Sequence, residues 1–234
     1  MNENEKVRRT PRNFSRTRFI LVLILAAIFY PRQAMVETKG NSGDGQAKGP
    51  LSRFNGQQLE NLRAGEPVCV YKVDAGKKET IAGGGQCSII INAPIEKCFQ
   101  LLSNIENQVH YVPYKKKSKL VSETKGKLLI DNEYKIYGTT IKYHSIFTIY
   151  KNNYRIEWEI DKSKPHDLAD ISCFYQLEMI DGKTTLLTYG ATKFDVGISV
   201  PEFIKNYLLG KTLPTMAINI KKYIESDGKW RQEK

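Results

Sequence analysis

Six stretches between residues 115 and 196 alternate apolar and polar residues, and short turn signals separate them. In "YRIEWEI", for example, Ile156, Trp158 and Ile160 share one side, while the charged residues occupy the other. Dipeptides such as Lys125-Gly126 and Asp181-Gly182 favour tight turns. Consecutive hairpins predict an antiparallel meander with one apolar face that something else must cover. The predicted strands are 115–122, 128–137, 139–150, 154–161, 171–180 and 184–196.

The segment before this meander predicts a strand that runs directly into a helix. Residues 86–91 end in an apolar run, and "NAPIEKCFQLLS" follows. We expect Asn92 to cap a helix over 95–103, with Pro94 in its first turn, where no N–H is needed. A second short helix is predicted over 105–110. Residues 67–73 alternate as well and predict an earlier strand, and Gly83-Gly84-Gly85 predicts a flexible joint or a bulge.

The chain ends in a long amphipathic segment, residues 200–226, that predicts a helix. Ser199 and Glu202 form a capping-box pattern at its start. An apolar stripe runs through Phe203 and continues through Met216 and Ile220. The sequence therefore predicts an α+β domain, with a curved antiparallel sheet of about seven strands around a long C-terminal helix and two short helices after the first strand.

The N-terminal region predicts export from the cytoplasm. Residues 19–30, "FILVLILAAIFY", are apolar and follow a basic flank, which is typical of a signal peptide or an uncleaved signal anchor. A buried core segment is the alternative. We assign 1–36 to this element, 37–52 to a flexible linker, 53–228 to the domain and 229–234 to a tail. The domain is then expected in the periplasm or tethered to the inner membrane.

The net charge of +11 agrees with an anionic membrane surface as a partner or with solubility alone. Basic residues are not interleaved with aromatics in one cluster, so we expect no nucleic-acid partner.

The densest basic run lies in "YKKKSKL". Strict alternation would place Lys115, Lys117 and Lys119 on one face. They would there either contact a membrane or, as solvated charges, keep an exposed edge strand from pairing with another chain.

The sequence predicts neither a metal nor a cofactor. Its three histidines are far apart, and its cysteines form no CxxC pair. No phosphate loop, dinucleotide fingerprint or nucleophile motif occurs. In an exported chain the cysteines could form a disulfide, but sequence does not give the pairing, and buried free thiols are equally expected. The four cysteines are Cys69, Cys87, Cys98 and Cys173.

Two quoted segments carry a resemblance to a known superfamily. "IIINAPIEKCFQLLSNIENQVHYVPYKKKSKLVSE" and "DGKTTLLTYGATKFDVGISVPEFIKNYLLGKTLPTMAINIKKYIE" resemble the START-like, polyketide cyclase/dehydrase and lipid-transport superfamily over residues 86–225. The nearest likeness is to its bacterial coenzyme-Q-binding-like branch. The resemblance implies a helix-grip fold that encloses a hydrophobic cavity. The chain has Cys173-Phe174-Tyr175 where members of that branch often carry a Gly and a Trp.

Large side chains on the inward strand face and on the helix stripe are the expected cavity lining. The alternative for each is that it fills the core, since burial of a large apolar side chain contributes about 1.5–3 kcal/mol without any ligand. The expected function is binding or transport of a lipid, quinone or similar molecule. A cyclase- or aromatase-like enzyme and a scaffold with a filled interior are the alternatives. The expected lining is Tyr134, Tyr143, Phe147, Trp158, Tyr189, Phe203, Met216 and Ile220.

Overall fold

The computed structural model describes residues 49–73, 82–136, 138–195 and 202–233, with backbone alone at 71–73, 82–83 and 202–209. Its helices are α1 (Gly56–Arg63), α2 (Ile95–Ser103), α3 (Gln108–Tyr111) and α4 (Glu202–Glu225), with short 3-10 turns at Pro50–Arg53, Ile105–Asn107 and Lys151–Asn153. Its strands are β1 (Val68–Val73), β2 (Ala82–Ile91), β3 (Lys115–Thr124), β4 (Lys127–Ile136), β5 (Thr139–Tyr150), β6 (Arg155–Ile160), β7 (Asp170–Met179) and β8 (Thr185–Asp195).

These strands form one antiparallel sheet in the order β1-β2-β8-β7-β6-β5-β4-β3. The predicted meander is confirmed, and the sheet has eight strands because β1 joins it beside β2. The turn between β3 and β4 shows how the sequence sets the register. Lys125 and Gly126 both adopt positive φ, which is the conformation that a two-residue hairpin with the correct twist requires.

The predicted bulge at the glycine triplet lies inside β2, where the pairing with β8 shifts between Gly83 and Gly85. A Cβ on Gly84 would lie 2.7 Å from the backbone oxygen of Ala191. Glycine therefore allows the two strands to approach closely at this point.

A disulfide joins β1 to β2. Cys69 and Cys87 lie directly opposite each other in the strand register and are bonded. Of the described cysteines, Cys98 and Cys173 are free thiols, and both are buried. The edge strand β1 is thus covalently attached to the sheet.

The strand-to-helix junction before α2 forms as predicted, but its cap differs. Pro94 is the N-cap residue of α2, and no side chain caps this helix. The prediction that Asn92 caps the helix is wrong because the helix begins at Ile95, which makes Pro94 the N-cap residue and leaves Asn92 two residues too early. The backbone N–H of Asn92 donates to Glu225 Oε1, over 2.7 Å. Thr185 Oγ1 donates to the carbonyl of Ala93 over 2.8 Å. The junction therefore binds both the last turn of α4 and the start of β8.

Helix α4 lies across the inner face of the sheet and completes the core. Ala217, Ile220 and Ile224 are fully buried in it, together with Tyr223. The helix continues through Pro214 as one element. Beyond it, Trp230 packs against the same core and Gln232 binds backbone carbonyls of α3, so this end of the domain is closed by side chains.

Several sequence predictions lie outside the described residues. These are the export segment 1–36, nearly all of the linker 37–52, and the cap formed by Ser199. Within the described ranges, no helix has the length and apolar character that crossing a membrane requires.

Candidate functional site

The inner face of the sheet brings the predicted cavity residues together. Tyr143, Phe147, Trp158, Met216 and Ile220 are buried in one cluster. Tyr134 and Tyr189 pack against it and remain partly exposed. The side chain of Phe203 lies outside the described part of the chain. This shared location agrees with a ligand site, although the same residues also form the core.

The aromatic rings make a continuous inner layer from β5 to β8. The ring centroid of Trp158 lies 5.1 Å from that of Phe147 and 4.8 Å from that of Tyr175. The rings of Tyr175 and Tyr189 are 5.6 Å apart, and those of Tyr134 and Tyr143 on β4 and β5 are 5.8 Å apart. Aromatic pairs at such distances add about 0.5–1.5 kcal/mol beyond simple burial. The layer is apolar, but it carries hydroxyl groups.

A lysine points into this apolar interior. Lys115, the first residue of β3, is only 4% exposed. Its Nζ atom donates to Oε1 of Gln108 on α3 over 2.5 Å and lies 5.3 Å from the centre of the Tyr134 ring. The prediction that Lys115, Lys117 and Lys119 share one face is therefore wrong.

A bulge at the start of β3 causes this difference. Lys115 pairs with Tyr134 and Lys117 with Glu133, so two steps along β3 match one step along β4. An extra residue in one strand re-aims the side chains around it. Lys117 is exposed and forms an ion pair with Asp131, over 2.5 Å. The membrane contact can involve only Lys117 and Lys119, both exposed, and it stays a prediction.

Burial sets the protonation state of this interior. It lowers the pKa of the Lys115 amine to about 7, because an apolar environment disfavours the charged ammonium. It raises the pKa of the Cys173 thiol to about 12, which the nearby Lys115 amine partly offsets. Cys173 is therefore a neutral thiol at pH 7. Burial also raises the pKa of five tyrosines well above the ordinary value, so they keep their hydroxyl protons; these are Tyr111, Tyr134, Tyr143, Tyr175 and Tyr189.

Polar atoms of this interior have few hydrogen-bond partners within the described chain. Nε2 of Gln108 is fully buried and has none, while the buried hydroxyls of Tyr111 and Tyr175 interact with each other. A buried polar group without a partner costs about 1–3 kcal/mol. The set consists of one amine, one amide and several hydroxyls, so it is rich in donors. Such a set is complementary to a carbonyl, carboxylate or similar acceptor on a largely apolar molecule.

Sequence reasoning missed five of these residues. Cys173 and Tyr175 share the strand parity of Ile171 and Leu177, so the alternation of β7 did carry a signal for them. Gln108 and Tyr111 lie in a short helix, where spacing is a weak guide. Lys115 gave no signal, because only the bulge turns it inward.

Two of the histidines, at positions 144 and 166, and the carboxylate at position 157 lie away from this cluster. His144 and Glu157 have the opposite parity to Tyr143 and Trp158, so both lie on the outer face of the sheet. His144 is half-buried rather than fully exposed, and its Nδ1 atom is enclosed without a described partner. His166 lies in a loop, with Nδ1 2.7 Å from the carbonyl oxygen of Leu168. No group of acidic, histidine or cysteine side chains among the described residues could hold a metal.

A groove of about 250 Å³ lies mainly on that outer face. Arg155 lines it, stacks on Phe174 with 4.5 Å between its guanidinium carbon and the ring centre, and donates to Glu157 over 2.6 Å. The arginine of the groove is thus already paired with a neighbouring carboxylate. We therefore assign the candidate site to the inner cluster.

Solved structures share this architecture at low sequence identity. A START superfamily protein from Mycobacterium smegmatis is 16% identical, with 69% of this chain and 99% of that chain covered and a TM-score of 0.51. A STAR-related lipid transfer protein fragment from Xanthomonas axonopodis is 13% identical, with coverages of 68% and 93% and a TM-score of 0.54. Human StAR-related lipid transfer protein 5 is 10% identical, with coverages of 69% and 83% and a TM-score of 0.53.

By sequence, no family model and no curated protein matches the chain. The structural likeness confirms the predicted START-like helix-grip fold. The narrower likeness to the coenzyme-Q-binding-like branch is not established by it and stays a prediction.

Proposed function

We propose that the chain binds and carries a hydrophobic small molecule between the curved sheet and α4, with the polar end of that molecule beside Lys115. One observation carries the proposal. An apolar, aromatic interior contains a lysine amine that donates to Gln108, and the Nε2 donor of the same glutamine has no acceptor in the described chain. A guest with a hydrocarbon body and an acceptor-bearing end would satisfy both parts.

The burial pattern supports a position for this guest. The C-terminal half of α4 is sealed by packing, since Ile220, Tyr223 and Ile224 are essentially inaccessible. Tyr134 and Tyr189 belong to the same inner layer and are still partly exposed. The guest therefore enters near these two tyrosines, where the interior reaches the surface.

Movement of α4 would open this route further. Pro214 removes one helix hydrogen bond, and a Cβ on Gly210 would meet nothing within 4 Å. Both positions lie in the first two thirds of the helix, before its sealed half. They are the points at which we expect the helix to bend.

The unpartnered polar atoms argue against a scaffold with a filled interior. A core selected only for stability would not retain a buried amide nitrogen without a partner, as Nε2 of Gln108 is in the described chain, because such a group costs about 1–3 kcal/mol.

Export is part of the proposal, and two features support it: the basic and apolar N-terminal segment, and the Cys69–Cys87 disulfide, a bond typical of oxidising compartments. Lipid, quinone and related molecules all fit the proposed chemistry.

A cyclase-like enzyme is the second candidate, and Lys115 favours it. Such an enzyme needs an ionisable group inside the cavity, near a substrate carbonyl. His144 and Glu157 lie on the wrong face, whereas the Lys115 amine faces the interior and lies near Cys173.

Native mass spectrometry of the full chain tests the proposal. Protein extracted gently from membranes, or incubated with 1-decanol, should carry an additional small hydrophobic mass. Lys115→Met should weaken this binding at least tenfold, while the matched surface variant Lys117→Met should bind as the wild type does. Folded wild-type protein that carries no guest from membranes and binds no 1-decanol would refute the proposal.

A further inference from the structure

We propose that Lys115 is a nucleophilic amine that forms a reversible imine with a carbonyl group of the hydrophobic guest. This inference rests on the proposed function, because the carbonyl compound must first occupy the interior. It assigns a chemical class to the guest: an apolar aldehyde or ketone. It also gives the buried lysine a covalent role.

The position of the amine carries the inference. Lys115 is held at one end by the bulge of β3, and at the other by the 2.5 Å hydrogen bond to Gln108. The Tyr134 ring lies on one side of the amine. No described carboxylate forms an ion pair with it, although Lys117, two residues further on, has Asp131. The amine thus lacks the counterion that would keep it protonated.

The surrounding titratable groups agree with a neutral amine. They are Tyr111 of α3, Tyr134 of β4, Tyr143 of β5, Cys173 and Tyr175 of β7, Tyr189 of β8 and Tyr223 of α4. Burial raises the pKa of each, so all are uncharged at pH 7. Cys173 would raise the pKa of Lys115 if it were ionised, but burial outweighs this contribution. Burial lowers the pKa of Lys115 to about 7. Half of the amine is then unprotonated at pH 7, against roughly one part in 10³ for an exposed lysine.

The reaction balances without a further reagent. The lone pair of Nζ attacks the carbonyl carbon, the C–N bond forms as the π bond of the carbonyl breaks, and one proton moves from nitrogen to oxygen to give a carbinolamine. The hydroxyl group then leaves with the second nitrogen proton as water, and the C=N bond forms. Amine and carbonyl thus become imine and water, with no oxidation or reduction, and hydrolysis reverses the step. A desolvated lysine in an apolar pocket is a known means of activating this nucleophile.

The buried tyrosines suit the proton transfers. Their raised pKa keeps the hydroxyls protonated, so they can donate a hydrogen bond to the carbonyl oxygen and polarise it. Tyr111 and Tyr175 suit this role, because their buried hydroxyls interact with each other, so one of them can donate to a carbonyl oxygen while it accepts from the other. We regard these two as positioning residues for the guest.

Reductive trapping tests the inference. The full chain is incubated at pH 7 with decanal and sodium cyanoborohydride, and the modified lysines are identified by peptide mass mapping. Lys115 should be labelled at least about 100-fold faster than Lys117 and Lys119, since a far larger fraction of its amine is neutral. Its rate should increase with pH up to a plateau above about 7. Lys115→Arg should abolish the fast phase, and Lys117→Arg should leave it unchanged.

A parallel titration with 1-decanol separates the two proposals. This alcohol fills the same space but cannot form an imine, so it should compete with decanal for Lys115. Labelling of Lys115 no faster than that of Lys117 overturns the imine. If 1-decanol still binds, the carrier function stands without it, and if 1-decanol also fails to bind, both proposals fall.

Discussion

The amine of Lys115 donates to the amide oxygen of Gln108, and the amide nitrogen of the same glutamine has no partner in the described chain. One residue thus accepts a hydrogen bond from a buried amine and leaves a donor without a partner in the same interior. An amine and a spare donor together attract an acceptor. This pair links the fold to its proposed guest.

The stability of the protein should depend on pH through Lys115. The folded pKa of about 7 is below the ordinary value of 10.5, so between these values the unfolded chain binds more protons. The free energy of unfolding should therefore rise from pH 7 to 9, by at most about 1.4 kcal/mol per pH unit. Urea denaturation of Lys115→Met should lack this rise, and Lys117→Met should retain it. A wild-type curve as flat as that of Lys115→Met would contradict the burial of a titrating amine.

Tyr175→Phe should separate binding from folding. Its hydroxyl is fully buried and interacts only weakly, with that of Tyr111, so its removal should change the free energy of unfolding by no more than about 1 kcal/mol. Binding of 1-decanol should nevertheless weaken. Tyr154→Phe is the contrast, because Tyr154 donates to Glu96 over 3.2 Å, and its loss should cost about 0.5–1 kcal/mol without affecting binding. A strongly destabilised Tyr175→Phe would point to a purely structural hydroxyl.

Loss of the disulfide should destabilise the domain. Cys69 and Cys87 are 18 residues apart, and a link of this span contributes about 3 kcal/mol by restricting the unfolded chain. The double variant Cys69→Ala/Cys87→Ala should unfold at a correspondingly lower urea concentration. A reductant should lower the urea concentration at which the wild type unfolds to that of the double variant, and it should leave the double variant unchanged. Equal stability of the oxidised wild type and the double variant would refute this role.

Gly84→Ala should disturb the pairing of β2 with β8. Its new Cβ would lie 2.7 Å from the backbone oxygen of Ala191, so the strands must separate, at a cost of about 1–3 kcal/mol. Gly182→Ala is the matched control, because its Cβ would meet nothing within 4 Å. Thermal unfolding should distinguish the two variants clearly. Similar melting temperatures would mean that the bulge tolerates a side chain.

Much of the fold could be predicted from sequence because one face of the sheet is buried throughout. Burial alternates visibly along β6, where Ile156, Trp158 and Ile160 point inward, and the predicted helix over 95–103 has the observed bounds. The cap of that helix was predicted wrongly, since Pro94, which cannot cap with its side chain, takes the N-cap position in place of Asn92. The bond from Asn92 to Glu225 of α4 could not be predicted either, because a long-range contact leaves no local pattern.

The site could be predicted only in its apolar part. Phe147 and Trp158 follow strand parity, so their inward direction was evident. Lys115 lies in a run of three lysines, which is typical of an exposed strand. Its burial depends on a bulge opposite Tyr134 and on the amide of Gln108, and neither is visible until the chain has folded.

Lysine NMR provides the most direct test of a guest in the interior. The full chain, labelled with ¹³C at the lysine Cε position, is titrated with 1-decanol at pH 7. We predict that the signal of Lys115 shifts and saturates, while those of Lys117 and Lys119 stay in place. A Lys115 signal that remains unchanged up to the solubility limit of 1-decanol would contradict the proposal that this interior accepts a hydrophobic molecule.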